Sequence, residues 1–173
     1  MAYFKTTYQY AIVIFAGLLI FLADYFELAN PVANEIILFT ISILKTSYFI
    51  WFVFRQIREM TRIEFYFKEF MSFIVVSILL VIISYAIDFY CLFRILPGAF
   101  SGSILKENII TEFITFFYFS ISVFTTAGFG DIKPNSTIAQ IFVSTELMIA
   151  FFFTILVLAN ISHIRESLKR KKI

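Results

Sequence analysis

The sequence predicts an all-α membrane protein: four transmembrane helices plus a re-entrant helix and loop. Three observations predict it. First, 61% of the 173 residues are hydrophobic and 20% are aromatic, with a mean hydropathy of +0.91. A soluble domain is nearer half apolar. Second, four runs are long enough to cross the hydrocarbon layer, which takes roughly 20 residues at about 1.5 Å rise each. Third, a further run without charge, Phe113 to Gly130, ends in Gly128-Phe129-Gly130, just before Asp131. A glycine pair one residue apart is a poor way to finish a span.

Taken in order, the first span covers Tyr8 to Phe26 and the second Ala33 to Phe54. Asn30-Pro31 breaks the turn between them. The N-terminal run carries no small-residue cleavage site, so it reads as a retained helix and not a cleaved signal. The stretch "RQIREMTRIEFYFKE" follows. Its charged and apolar residues mix at helical spacing, which predicts an amphipathic helix on the membrane surface. Residues 1–69 therefore read as two peripheral transmembrane helices and a cytoplasmic linker helix. Residues 70–173 form a second unit: a span from Phe70 to Leu96, a polar loop "PGAFSGSILKEN", a short helix from Ile110 to Phe124, a glycine-containing loop, a last span from Ile138 to Ser162, and a short basic tail.

Basic residues set the orientation, since Lys and Arg collect on the cytoplasmic side. If the run 113–130 does not cross, one side holds Lys5, Arg55, Arg58, Arg62, Lys68, Arg165, Lys169, Arg170, Lys171 and Lys172. The other holds only Arg94, Lys106 and Lys133. If the run did cross, the tail would carry its five basic residues to the wrong side. Both termini are then expected in the cytoplasm and the chain in the cell membrane. Tyr8, Tyr10, Tyr48 and Trp51 fall near inner ends, and Tyr25 and Tyr90 near outer ends, at headgroup depth.

Several function classes are excluded. A net charge of +2 is too small to imply nucleic acid. One cysteine, Cys91, allows no internal disulfide and reads as a small apolar filler. There is no nucleotide loop, metal-ligand cluster or catalytic dyad, so neither an enzyme nor a cofactor is expected. The tail "KRKK" suits anionic lipid headgroups.

The run 113–130 carries the chemistry. Lipid cannot satisfy irregular backbone, so a loop at membrane depth must be buried in protein or line a watery path. Gly128 and Gly130 permit backbone angles that other residues avoid. With both twisted, successive carbonyls can point one way, and a column of carbonyl oxygens replaces the water around a cation. The helix before it aims its partly negative carboxyl end at the membrane centre, and Glu112 suits its other end. One chain supplies one strand, so a ring of carbonyls needs a symmetric oligomer.

At these residues the chain resembles the tetrameric potassium channels. The stretch "FFYFSISVFTTAGFGDIKP" is similar to their pore helix and filter signature, and "AQIFVSTELMIAFFFTILVLANI" to their inner helix. The resemblance covers Phe70 to Ile164 and implies a homotetramer around a fourfold axis, with potassium as the permeant ion. It implies filter carbonyls from Thr126, Ala127, Gly128 and Phe129, the Thr126 hydroxyl at the inner end, Gly130 within the filter and Asp131 at its outer mouth. Filter support is expected from Phe119, Ser122, Thr125 and Glu146. Phe151, Thr154, Leu158 and Ser162 share one helical face and by resemblance line the inner cavity, with an ordinary packing stripe as the alternative. Ala127 stands where valine is usual, and Phe129 where tyrosine is common. Phe119 stands where a tryptophan donor often sits, so the contact between Phe119 and Phe129 is expected to be apolar at both ends. No glycine hinge appears near Ala150.

Three ionisable residues stand apart. Glu146, in the outer half of the last span, is expected either to tune the filter or to hydrogen-bond the pore helix. Lys45, near mid-depth of the second span, has Asp24 and Asp88 as candidate partners, as an ion pair or a sensor. His163 is the only histidine and reads as interfacial. No span carries regularly spaced arginines, which argues against a conventional voltage sensor. Two competing readings stay open: a weakly selective sodium/potassium channel, and a non-conducting subunit that regulates or scaffolds another membrane protein.

Overall fold

The computed structural model describes residues 36, 40, 43–48, 50–51, 55, 67–104 and 108–159. The first expected span, most of the linker helix (residues 56–66), the basic tail, Asp24, Ser162 and His163 lie outside the described residues. Between 36 and 55 every described residue is α-helical, where the second span is expected.

Five elements follow: α1 (Phe67–Ile95), β1 (Phe100–Gly102), α2 (Ile109–Phe124), β2 (Ile132–Pro134) and α3 (Thr137–Ala159). Within α1 and α3, Met71–Ile95 and Thr137–Leu158 are each long and apolar enough to cross a membrane. Leucine, isoleucine and phenylalanine dominate both, and neither has a proline to break it. Pro97 and Gly98 stop α1, with Gly98 at φ +90°.

The polar loop expected after α1 is only partly a loop. Phe100–Gly102 pairs antiparallel with Ile132–Pro134, in the register Phe100↔Pro134, Ser101↔Lys133 and Gly102↔Ile132. A three-residue strand is too short to leave a period-2 signature, and Phe100 and Ile132 are both buried. This pairing decides the topology of the segment between. The chain departs from β1 and returns to β2, so it comes back to where it left. The lengths agree: the 16 residues of α2 descend about 24 Å at 1.5 Å each, short of the roughly 30 Å hydrocarbon layer. The seven residues 125–131 carry the chain from the end of α2 back to β2. The run 113–130 therefore lies within a segment that returns to the strand it left.

Aromatic rings hold α2 in place. Phe89 and Phe93 of α1 meet Phe119 and Phe116 of α2, both at 5.1 Å between ring centroids. Phe100 of β1 closes over Phe116 at 5.2 Å and Phe119 at 5.7 Å. Each such pair contributes about 0.5–1.5 kcal/mol beyond its burial. In lipid, close backbone approach matters more than hydrophobicity, and small residues allow it. Ser77, Ala86, Ser120 and Ala139 are fully buried between the helices. Cys91 is buried in the same core.

Candidate functional site

The helix α2 begins with an Asn108 cap. Its Oδ1 accepts from the Thr111 backbone N–H at 2.9 Å and from the Thr111 hydroxyl at 3.0 Å. Glu112 occupies the first turn and sits 3.9 Å from Arg94 of α1. At the other end the backbone reverses at once. The N–H groups of Thr125 and Thr126 donate to the Ile121 and Val123 carbonyls, both at 2.9 Å. Those of Ala127 and Gly128 donate to Ser122 O at 3.0 and 3.3 Å. Two backbone N–H groups thus converge on the Ser122 carbonyl. The Thr125 hydroxyl donates to Ile121 O at 2.7 Å.

The strand that follows has alternating backbone handedness. Thr126, Gly128 and Gly130 have φ of +57°, +52° and +76°, and Ala127 and Phe129 between them do not have positive φ. In a β-strand all residues share one sign of φ, and carbonyls alternate sides. Reversing every second residue brings successive carbonyls to one side. A positive φ at a threonine is uncommon and costs energy. The Thr126 hydroxyl donates to Thr125 O at 2.7 Å. Residues 125–130 are all exposed within one chain. No described donor reaches the carbonyls of residues 126–130.

Backbone contacts also fix the outer end. Asp131 O accepts from the Ser103 N–H at 2.9 Å, and Asp131 Oδ1 from the Ile132 N–H at 3.0 Å. Gly102, at φ +118°, lies so close that a Cβ there would sit 1.9 Å from Asp131 O. The outer strand β1 therefore clamps the point where the exposed strand ends. Sequence reasoning missed this clamp, although the glycine in "AFSGS" was its signal.

The aromatic support differs from expectation within one chain. The Phe129 ring stacks on Tyr118 at 6.1 Å and an interplanar angle of 6°. Phe119 instead meets Phe89 and Phe100. Successive helical residues point about 100° apart, so Tyr118 and Phe119 cannot serve the same face.

On α3, Phe151 is 66% and Leu158 59% exposed, with Thr154 also exposed on the same face. The Thr154 hydroxyl donates back to Ala150 O at 3.1 Å. The opposite face of α3 is buried and carries Glu146, which has no exposed surface. Its Oε1 lies 2.6 Å from Ser120 Oγ of α2. Lys45 is bonded to Asp88, with Ser84 O 3.4 Å from its Nζ, so of the two expected partners Asp88 holds it. Beside that pair, the Tyr85 hydroxyl lies 3.2 Å from both Thr46 Oγ1 and Thr145 Oγ1. A polar seam thus joins the helical residues around Lys45 to α1, α3 and α2.

Two helices long and apolar enough to cross a membrane bracket a short helix and an exposed, hand-alternating strand. Comparison with known families gives the class of protein. Residues 75–166 match the family described as Ion channel, a two-transmembrane family that includes potassium channels. The match covers more than half of the chain, and the chain belongs to this ion channel family. It is a membrane channel protein and not an enzyme. Channels of the family generally assemble as oligomers. No curated protein matches the chain.

Proposed function

We propose that the chain is one subunit of a homotetrameric channel that passes potassium passively across the cell membrane. The observation that carries this reading is the alternation of φ from Thr126 to Gly130. It turns the carbonyls of Thr126, Ala127, Gly128 and Phe129 toward one side, with no described donor upon them. Oxygens so held replace a dehydrated cation's water. Asp131 adds negative charge at the mouth. The exposed face of Phe151, Thr154 and Leu158, continued by Ser162, lines the cavity below. Ser122 and Thr125 brace the strand, Glu146 braces α2 from behind, and both termini face the cytoplasm, where the basic tail meets anionic headgroups.

A second reading, a weakly selective sodium/potassium channel, is favoured by one observation. Ala127 puts only a methyl group behind the strand, where valine is usual. The number and field of the carbonyls, as well as their rigidity, contribute to selectivity, so a loosely braced strand still conducts. Purified protein in liposomes should pass potassium, and crosslinking in detergent should ladder to four and stop. A dimer as the largest species would exclude the ring, because each chain has one such strand.

A further inference from the structure

We infer that Glu146 is held as a neutral carboxylic acid, whose proton completes a clasp between α3, α2 and α1. The argument is a count of hydrogens. Ser120 Oγ lies 2.9 Å from Ile82 O of α1 and 2.6 Å from Glu146 Oε1 of α3. A serine hydroxyl has one hydrogen to donate. The Ile82 carbonyl can only accept. Were Glu146 ionised, it could only accept as well, and one of the two contacts would set lone pairs against each other. With the proton on Oε1 both contacts are satisfied: Glu146 donates to Ser120, and Ser120 donates to Ile82 O.

Two further observations agree. The other oxygen, Oε2, is buried with no hydrogen-bond partner. An unpartnered carbonyl oxygen of a neutral acid costs far less than half of a buried carboxylate. Charge balance gives the same answer. The ionisable groups near Glu146 are Asp88 and Tyr85 of α1 and Lys45 of the preceding helix, and α2 presents the non-ionising Ser120. Lys45 and Asp88 already pair. A second carboxylate would leave the cluster with a net negative charge inside the membrane, whereas the acid leaves it neutral.

The consequence is mechanical. Ser120 is fully buried and lies two residues before Ser122, whose carbonyl holds the N–H groups of Ala127 and Gly128. Glu146 is thus a positioning residue: through one proton it fixes the helix on which the exposed strand hangs. Removing that proton opposes the clasp and places a carboxylate near Asp88. This holds whichever cation the chain passes.

The test is infrared spectroscopy of the intact protein in lipid, wild type against E146Q. The expected difference is loss of a carbonyl stretch of a protonated carboxylic acid, one that exchanges slowly in deuterated water. E146Q should keep its melting temperature, because the amide N–H donates to Ser120 in place of the acid, while E146A should lose several degrees. Loss of a carboxylate band instead, or an E146Q protein destabilised as much as E146A, overturns the assignment. If E146Q does not fold, S120A gives the same answer: the acid band should shift when its acceptor is removed, and no shift overturns the proposal. The infrared result does not depend on conduction, so its failure and a failure of the channel reading are distinguishable.

Discussion

Residues 125–131 and the seam from Lys45 to Ser120 solve one problem in opposite ways. Both place polar groups where lipid cannot satisfy them. The strand leaves the carbonyls of residues 126–130 without a described donor, and donates every N–H from 125 to 128 back to α2. The seam closes in on itself: Lys45, Asp88, Glu146 and Ser120 are all buried, and each has a partner within the fold. One region is built from backbone and held ready for a ligand. The other is built from side chains and holds helices together. Substitutions should therefore act differently in the two: in the strand on conduction, in the seam on stability.

The sharpest way to break this comparison is Gly128→Val. Gly128 sits at φ +52°, and an added Cβ would meet nothing within 4 Å in its own chain. The substitution therefore changes backbone preference without an internal clash. A left-handed conformation costs an ordinary residue about 1–2 kcal/mol, more for a β-branched one, and in the proposed tetramer the cost recurs in each of the four strands. Flux should fall to background while expression and melting temperature stay near wild type. Retained flux would remove the strand from the conduction path.

The seam should respond in the reverse manner. Lys45→Met leaves Asp88 charged in the interior, a loss of about 3–5 kcal/mol when one partner of a buried pair is removed. Pairing it with Asp88→Asn should recover much of that loss. Thermal melts of the single and double variants decide the matter. A double variant no better than its singles would show that the pair does not act as a unit.

A smaller effect is expected at the clamp that joins strand and scaffold. In Gly102→Ala the new Cβ must move from 1.9 Å off Asp131 O, at a strain of roughly 1–3 kcal/mol. Gly98→Ala is the control, since Gly98 also has positive φ, at +90°, but nothing lies within 4 Å of an added Cβ. Current amplitude should fall in Gly102→Ala and persist in Gly98→Ala. Equal effects would mean that strain alone, and not the contact with Asp131, matters there.

The same contrast explains what could be read from sequence. Helix positions were legible from length and hydropathy: α2 was expected from Ile110 and starts at Ile109, and α3 was expected from Ile138 and starts at Thr137. The twisted strand was legible because its conformation demands glycine at fixed spacing. The positive φ of Thr126 was not, because a threonine does not announce it. The seam was only half legible. A lysine inside an apolar span must find a carboxylate, but sequence left Asp24 and Asp88 equal, and only packing brings Asp88 to it. For Glu146 the alternative of a hydrogen bond to α2 is the contact seen, yet Ser120 carried no mark as its partner. The pairing of β1 with β2 and the stacking of Tyr118 on Phe129 depend on tertiary approach between segments with no shared pattern.

The reversal potential of the reconstituted protein between potassium and sodium solutions tests the central claim most directly. An ordered column of carbonyls predicts a potential close to that of potassium, and loss of that current in Gly128→Val. A potential near zero, with sodium passing as readily as potassium, would contradict a potassium-selective filter built from Thr126 to Phe129.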